Sequence, residues 1–245
     1  MKPVGKSAAA DEHISAGEEL APVSRGRPSA ELADFHLRHR VEIGELLRGL
    51  EKDEARGRGF SIRAGLMDPL HSVISERVKE FCRLPYRTTG GTIASCPGIL
   101  EGWKGCPPHP PAVAETVDIL SRAPAFLIVQ FQGEEDQTRQ GDAHVLIEKA
   151  ARKLRERGYA VREAYACGPC RVCRRGCGEE PDCRQPERRL FALESCGFWV
   201  NSLCRRAAEF PLAGGGPEEV RWIRDWGLPE QDISLIRYVT GIVLG

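Results

Sequence analysis

The sequence has no excess of charge of either sign and no long apolar run. Its 35 Lys and Arg residues are balanced by 35 Asp and Glu residues, so no global field attracts nucleic acid or an anionic membrane. No stretch approaches the roughly 18 apolar residues that a spanning helix needs, and the N-terminus turns polar directly after Met1, without an export signal. These absences predict a cytoplasmic protein that binds neither membranes nor nucleic acid.

Phosphate-binding fingerprints are also missing. The glycines at 214–216 are followed by no Lys-Ser or Lys-Thr pair, and no Gly-x-Gly-x-x-Gly motif follows a predicted strand. Four of the histidines, His36, His39, His71 and His144, are expected to be surface or packing residues rather than ligands. Glycine and histidine therefore predict no catalytic constellation.

Cysteine is abundant by contrast, with 10 residues in the chain. In a reducing compartment this number favours metal binding or redox chemistry over a disulfide framework. Five of these residues fall between Cys167 and Cys183, in the run CGPCRVCRRGCGEEPDC. Closely spaced thiols on a turning backbone can converge on one centre, whereas disulfide geometry wants Cα atoms about 4.4 to 6.8 Å apart and sensible loops between them. The run is therefore interpreted as the ligand set of a shared metal.

The first four cysteines of the run have the spacing C-x2-C-x2-C-x3-C, which matches the bacterial ferredoxin motif for 4Fe-4S clusters. Gly178 stands where that motif has proline, and the chain does not repeat the run. A second ligand set is available only from the dispersed cysteines Cys82, Cys96 and Cys106. The spacing thus predicts one or two 4Fe-4S clusters in a protein that is not a simple ferredoxin.

Zinc is the alternative metal. Four cysteines can form a closed tetrahedral zinc site that only staples the fold. The pair Cys170 and Cys173 with a later pair from Cys177 and Cys183 would suit such a site. The protein would then be a zinc-stapled binding module.

A third interpretation follows from the count of three in the dispersed set. With only three thiolates, one iron would keep an open coordination position, at which an enzyme could bind a small-molecule substrate. Cys196, Cys167 or His109 could instead close that position. Cys204 is expected to be a core residue, because a thiol packs as a small hydrophobic group.

Apolar periodicity divides the chain into three parts. Residues 1–30 show no apolar period and predict a disordered tail. Residues 31–59 predict an amphipathic helix and a charged, glycine-containing linker, and the apolar stripe must cover either the main domain or a partner. Residues 60–245 predict a cysteine-rich α/β domain.

Strand and helix patterns alternate within this domain. The predicted elements are strands at residues 72–75, 125–131, 159–166 and 233–244, and helices at residues 112–121, 142–157, 186–203 and 217–226. The strand, helix and strand from 125 to 166 form a βαβ unit with parallel strands. The cysteine run then begins at the carboxyl end of a strand, where open α/β sheets bind ligands.

Several segments together resemble a known family. They are ERVKEFC at 76–82, Cys96-Pro97, Cys106-Pro107-Pro108, GPCRVC at 168–173, CRQPE at 183–187 and ESCG at 194–197. These segments resemble the predicted metal-binding proteins of domain of unknown function 2284, over about residues 70 to 245. Members are cysteine-rich proteins, mostly of anaerobic bacteria and archaea, that are presumed to carry iron-sulfur clusters and have no agreed reaction.

The resemblance implies two ligand sets. One contains Cys170, Cys173, Cys177 and Cys183, and the other contains Cys82, Cys96 and Cys106. Six arginines flank the first set and would either balance an anionic cluster or form a solvated face: Arg171, Arg174, Arg175, Arg184, Arg188 and Arg189. The expected function is electron transfer with a redox partner protein, or a redox accessory role in an anaerobic enzyme system.

Overall fold

The computed structural model describes residues 29–83, 86–87, 93–94, 100, 105–106, 108–134, 140–173, 183–213 and 235–245. All but the last two residues of the predicted tail at 1–30 lie outside this description. So do Cys96, Cys177, the glycines at 214–216 and the predicted helix at 217–226.

Helices and strands alternate along the described chain. The helices are α1 (Ala30–Leu50), α2 (Glu76–Phe81), α3 (Val113–Ser121), α4 (Gln140–Glu156) and α5 (Val200–Ala207). The strands are β1 (Phe60–Met67), β2 (Tyr86–Arg87), β3 (Ile93–Ala94), β4 (Ala125–Glu134), β5 (Val161–Ala166), β6 (Phe191–Ala192), β7 (Phe210–Ala213) and β8 (Leu235–Leu244). This mixture confirms the predicted α/β class.

Six of these strands form one sheet in the order β6-β5-β8-β4-β1-β7. Strand β8 pairs antiparallel with both β4 and β5, so those two strands run parallel to each other and α4 connects them. The predicted βαβ unit is therefore present, with β8 inserted between its strands. The short strand β6 extends the sheet by pairing parallel with β5.

Each face of the sheet has its own hydrophobic core, because successive strand side chains point to opposite faces. On one face, α1 and α4 bury Leu47 and Leu146 against Leu127 of β4. On the other face, Phe126 of β4 packs with Phe198 and with residues of α5. The two cores together cover both sides of the central strands.

Helix α1 packs on its own domain, so its apolar stripe covers the main domain. It begins after Ser29, whose Oγ accepts a hydrogen bond from the Leu32 N–H at 3.1 Å, and it continues into a π-helical turn at Glu51–Ala55. Its buried side chains join the core between the sheet and helices α1 and α4. Leu37 and Val41 remain outside that core, with exposed fractions of 68% and 59%.

The segment after the cysteine run differs from its prediction. Residues 186–203 were predicted as one helix. Instead they contain a 3-10 turn at Pro186–Arg188, then β6, a second 3-10 turn at Glu194–Cys196, and the first part of α5. Gly197 ends the second turn at φ 90°, where a Cβ would lie 2.8 Å from the Ser75 carbonyl oxygen. A helix through this segment is excluded because residues 191–192 pair with β5 instead.

Two further differences concern strands. The strand predicted at 72–75 is reduced to an isolated bridge between Ile74 and Phe198, and β1 and β7 were not predicted. In the described part of the chain, no helix has the length and apolarity to cross a membrane.

Candidate metal centre

Strand β5 leads directly into the cysteine run, as predicted. Its last residue, Ala166, accepts a hydrogen bond from the Leu193 N–H at 3.0 Å, and Cys167 follows. Gly168 adopts a φ of 69°, in the left-handed region that glycine tolerates best. A Cβ there would lie 2.7 Å from Nε2 of Gln140, so the glycine permits a tight turn against the first turn of α4.

Two side chains of α4 hold this turn. Nε2 of Gln140 donates to the Cys167 carbonyl oxygen at 2.8 Å, and Nε2 of His144 lies 2.8 Å from the same oxygen. Nδ1 of His144 accepts from the Arg171 backbone N–H at 3.2 Å, so Nε2 carries the proton and donates. Burial lowers the pKa of His144 to about 4, which keeps the imidazole neutral for this pair of hydrogen bonds.

The thiols of Cys167 and Cys196 lie in separate cores. Cys167 belongs to the core between the sheet and helices α1 and α4, with its Sγ 3.8 Å from Nε2 of His144. Cys196 belongs to the core on the opposite face. Burial raises the pKa of both thiols. Each core therefore favours a neutral, packed thiol side chain. Cys204, predicted to be a core residue, is confirmed as one at 0% exposure.

The fold brings the Cys106 segment next to the cysteine run. Gly105 is buried, and a Cβ on it would lie 3.2 Å from the Cβ of Cys170. The Gly105 carbonyl oxygen accepts two hydrogen bonds, from the Ala192 N–H at 3.0 Å and from the Ser195 Oγ at 3.0 Å. Strand β6 and the turn after it therefore fix Gly105 beside Cys170, and Cys106 follows Gly105 in the chain. The family resemblance had implied different ligand sets for Cys106 and Cys170.

Three of the run's cysteines that the structure describes are partly exposed, namely Cys170, Cys173 and Cys183. A cation lies beside one of them. Arg188 forms a two-pronged hydrogen bond to Glu148 at 2.9 and 3.2 Å. This bond raises the pKa of the Arg188 guanidinium, and the negative charge of a Cys173 thiolate adds a smaller increase.

Cys82 lies at the end of a helix that packs on the turn containing Cys196. It caps the C-terminus of α2, where its N–H donates to the Lys79 carbonyl oxygen at 3.2 Å. Helix α2 packs on the Glu194–Cys196 turn. The positive charge of Lys79 partly offsets the rise that burial causes in the pKa of Cys196. Cys82 is itself partly exposed.

The described residues do not assemble a complete ligand set. Among them, no group of three or more His, Cys, Asp or Glu side chains is placed to hold a metal ion, and Cys96 and Cys177 lie outside the description. The eight described cysteines are thiols rather than disulfides. The donor chemistry fits a thiophilic metal, and the close approach of Gly105 to Cys170 brings segments of the two predicted sets together.

Sequence reasoning missed the residues that hold these loops. Gln140 lies in no motif, Ser195 entered only as part of the ESCG segment that resembles the family, and His144 was predicted to be a surface or packing residue. Its position on the inward side of α4, among Leu146, Ile147 and Ala150, is the signal that identifies a buried imidazole in need of partners. The partners themselves come from a different segment and could not be read locally.

Comparison with known proteins agrees with the cysteine pattern. A family model described as predicted metal-binding protein, domain of unknown function 2284, matches residues 73–224, a range that includes all 10 cysteines. No curated protein and no solved structure matches the chain. The match covers more than half of the sequence, and the chain therefore belongs to this family of predicted metal-binding proteins.

Proposed function

We propose that the chain binds at least one 4Fe-4S cluster through its cysteine run and exchanges electrons with a redox partner protein. The observation that carries this proposal is the anchored loop after β5, which combines ferredoxin-like spacing with partly exposed thiols at Cys170 and Cys173. Membership of a predicted metal-binding family supports the metal, and the spacing supports iron and sulfur over zinc.

Burial narrows the choice of ligands. A metal-bound cysteine must be a thiolate. Without a metal, burial favours the neutral thiol at Cys167 and Cys196, whereas Cys170, Cys173 and Cys183 are partly exposed. The remaining members of the run are Cys170, Cys173, Cys177 and Cys183. Of the dispersed cysteines, Cys106 is buried as well, and the residue before it, Gly105, lies against Cys170.

Charge supports the same assignment. A cluster with four thiolate ligands is anionic, and a cationic neighbour raises its reduction potential. Arg188 is held near Cys173 by Glu148 of α4, so its position is fixed by the scaffold. When bound, the cluster would supply a one-electron redox centre, and the partial exposure of its ligands favours approach by a partner protein.

Metal analysis of anaerobically purified protein tests the proposal. We expect about four irons and four acid-labile sulfides per cluster, with a brown colour that dithionite bleaches reversibly. Colourless protein that holds zinc without iron would contradict the proposal and support the zinc-stapled module. A spectral change on addition of a small ligand would instead support an enzyme with an open iron.

Cysteine variants locate the ligands. Cys173→Ala should lose most of its iron and sulfide. Cys204→Ala and Cys196→Ala, which truncate thiols buried in the other core, should keep the iron content of the parent. Equal iron in Cys173→Ala and Cys204→Ala would show that the run is not the cluster site.

A further inference from the structure

A cleft of roughly 550 Å³ opens between α3 and the β5–β6 edge of the sheet. Sites for small ligands have volumes of about 300–1,000 Å³. The walls are mostly apolar and include Pro111, Ala114, Ile119 and Phe191. His109, in the turn that follows Cys106, also lines the cleft.

Two acidic residues of α3 at the rim already have partners. Oε2 of Glu115 accepts a hydrogen bond from the Ala112 N–H at 2.9 Å, which caps the helix. Asp118 pairs with Arg122, at 2.7 Å between Oδ1 and Nη2. Both carboxylates are thus engaged along the helix, and neither forms the ion pair of Arg189.

Arg189 lines the cleft, forms a long ion pair with Glu163 and is not fully hydrogen-bonded. Its Nη2 lies 3.9 Å from Oε2 of Glu163, beyond hydrogen-bond distance. Its Nε has no hydrogen-bond partner in the part of the chain that the structure describes. The guanidinium stands 4.1 Å from the centroid of the Phe191 ring, and such stacking fixes its plane. A guanidinium held in this way is suited to a planar carboxylate.

Glu163 complements this donor. Burial raises the pKa of its carboxyl group, although the Ala164 N–H, Arg189 and Arg155 partly offset the effect. A carboxyl group with a raised pKa takes up a proton more readily and can then donate a hydrogen bond. Protonation of Glu163 would leave the Arg189 guanidinium to pair with the carboxylate of a ligand.

We propose that the cleft binds a small organic acid, with its carboxylate on Arg189 and its apolar body between Ile119 and Phe191. One guanidinium in an apolar cleft suits a monocarboxylate better than a phosphate dianion, which requires more donors. None of the described residues that line the cleft is a cysteine. The inference therefore stands independently of the proposed cluster, although His109 places the bound acid near Cys106.

Titration of the full chain with isobutyrate and with its uncharged amide, isobutyramide, tests this site by calorimetry. We expect saturable isobutyrate binding, at least about tenfold tighter than that of isobutyramide. Arg189→Gln should weaken isobutyrate binding by about tenfold or more. Arg205→Gln, which replaces an exposed arginine of α5, is the control and should bind as the parent does.

A second variant keeps the test independent of how well Arg189→Gln folds. Ile119→Trp fills the cleft and leaves Arg189 in place, so it should also abolish isobutyrate binding. Absence of saturable binding to the parent, equal affinity for acid and amide, or parental affinity in Arg189→Gln would each overturn the assignment. Iron content measured on the same samples separates this result from the fate of the cluster.

Discussion

A single glycine decides how closely the two cysteine segments approach each other. A Cβ built on Gly105 would lie 2.7 Å from the Leu190 carbonyl oxygen and 3.1 Å from the Cys170 backbone nitrogen. Both contacts are with backbone atoms, which cannot rotate away as a side chain can. Gly105 therefore acts through the absence of a side chain, and the position of Cys106 depends on it.

Gly105→Ala should push the Cys106 segment away from the run. We expect a loss of about 1–3 kcal/mol in the free energy of unfolding, the usual cost of overpacking a buried position. The matched control is Gly57→Ala, because a Cβ at Gly57 meets nothing within 4 Å. Urea unfolding of both variants measures the difference, and equal stabilities would show that the close approach at Gly105 does not exist.

At the scale of secondary-structure elements, α4 supports the cysteine run as well as the core. Its inward side packs on the sheet, while Gln140 and His144 near its N-terminus bind the backbone of the loop after β5. On the same helix, Glu148 holds Arg188. One helix thus fixes both the start of the loop and the cation beside Cys173.

Removal of the imidazole tests this support. His144→Leu keeps an apolar side chain in the core, but it leaves the partly buried Arg171 N–H without its acceptor, whereas the Cys167 carbonyl oxygen retains Gln140. The expected loss is about 1–3 kcal/mol of unfolding free energy, together with lower iron content after anaerobic purification.

Arg155→Leu provides the control on the same helix, since Arg155 is exposed. A surface change of this kind should alter stability by no more than about 0.5 kcal/mol. If His144→Leu retained both the stability and the iron content of the control, the imidazole would have no part in holding the loop.

Elements with a local pattern were predicted well. The strand at 125–131, the helix at 142–157 and the strand at 159–166 correspond to β4, α4 and β5, because their apolar periods reflect burial that each segment achieves alone. The helix predicted at 186–203 was wrong because the structure of this segment depends on a distant part of the chain. Its central residues pair with β5, and no local pattern reports a partner that comes from another part of the chain.

The same limit applies to the site. The cysteine spacing is local, so the sequence alone predicts the run and its position after a strand. The approach of Gly105, the residue before Cys106, to Cys170 is accompanied by hydrogen bonds from Ala192 and Ser195 to Gly105, which join segments far apart in sequence. Contacts of this kind require the fold.

At the scale of the whole molecule, α1 forms part of the domain rather than an appendage. Its buried side chains share one core with β1, β4 and α4. A Glu54–Lys149 ion pair joins the turn after α1 to α4. The helix that covers this face of the sheet therefore contributes to the stability of the same unit that carries the cysteine run.

Two leucines of α1 test whether this helix packs on its own domain or is available to a partner protein. Leu47 is fully buried, whereas Leu37 is 68% exposed. Leu47→Ala should cost about 2–5 kcal/mol of unfolding free energy, the usual range for a buried leucine, and Leu37→Ala should cost no more than about 0.5 kcal/mol. Urea denaturation of the purified single chain measures both values without any partner present. Equal small losses would mean that the buried side of α1 is not packed on its own domain, and that its apolar stripe is instead available to another protein.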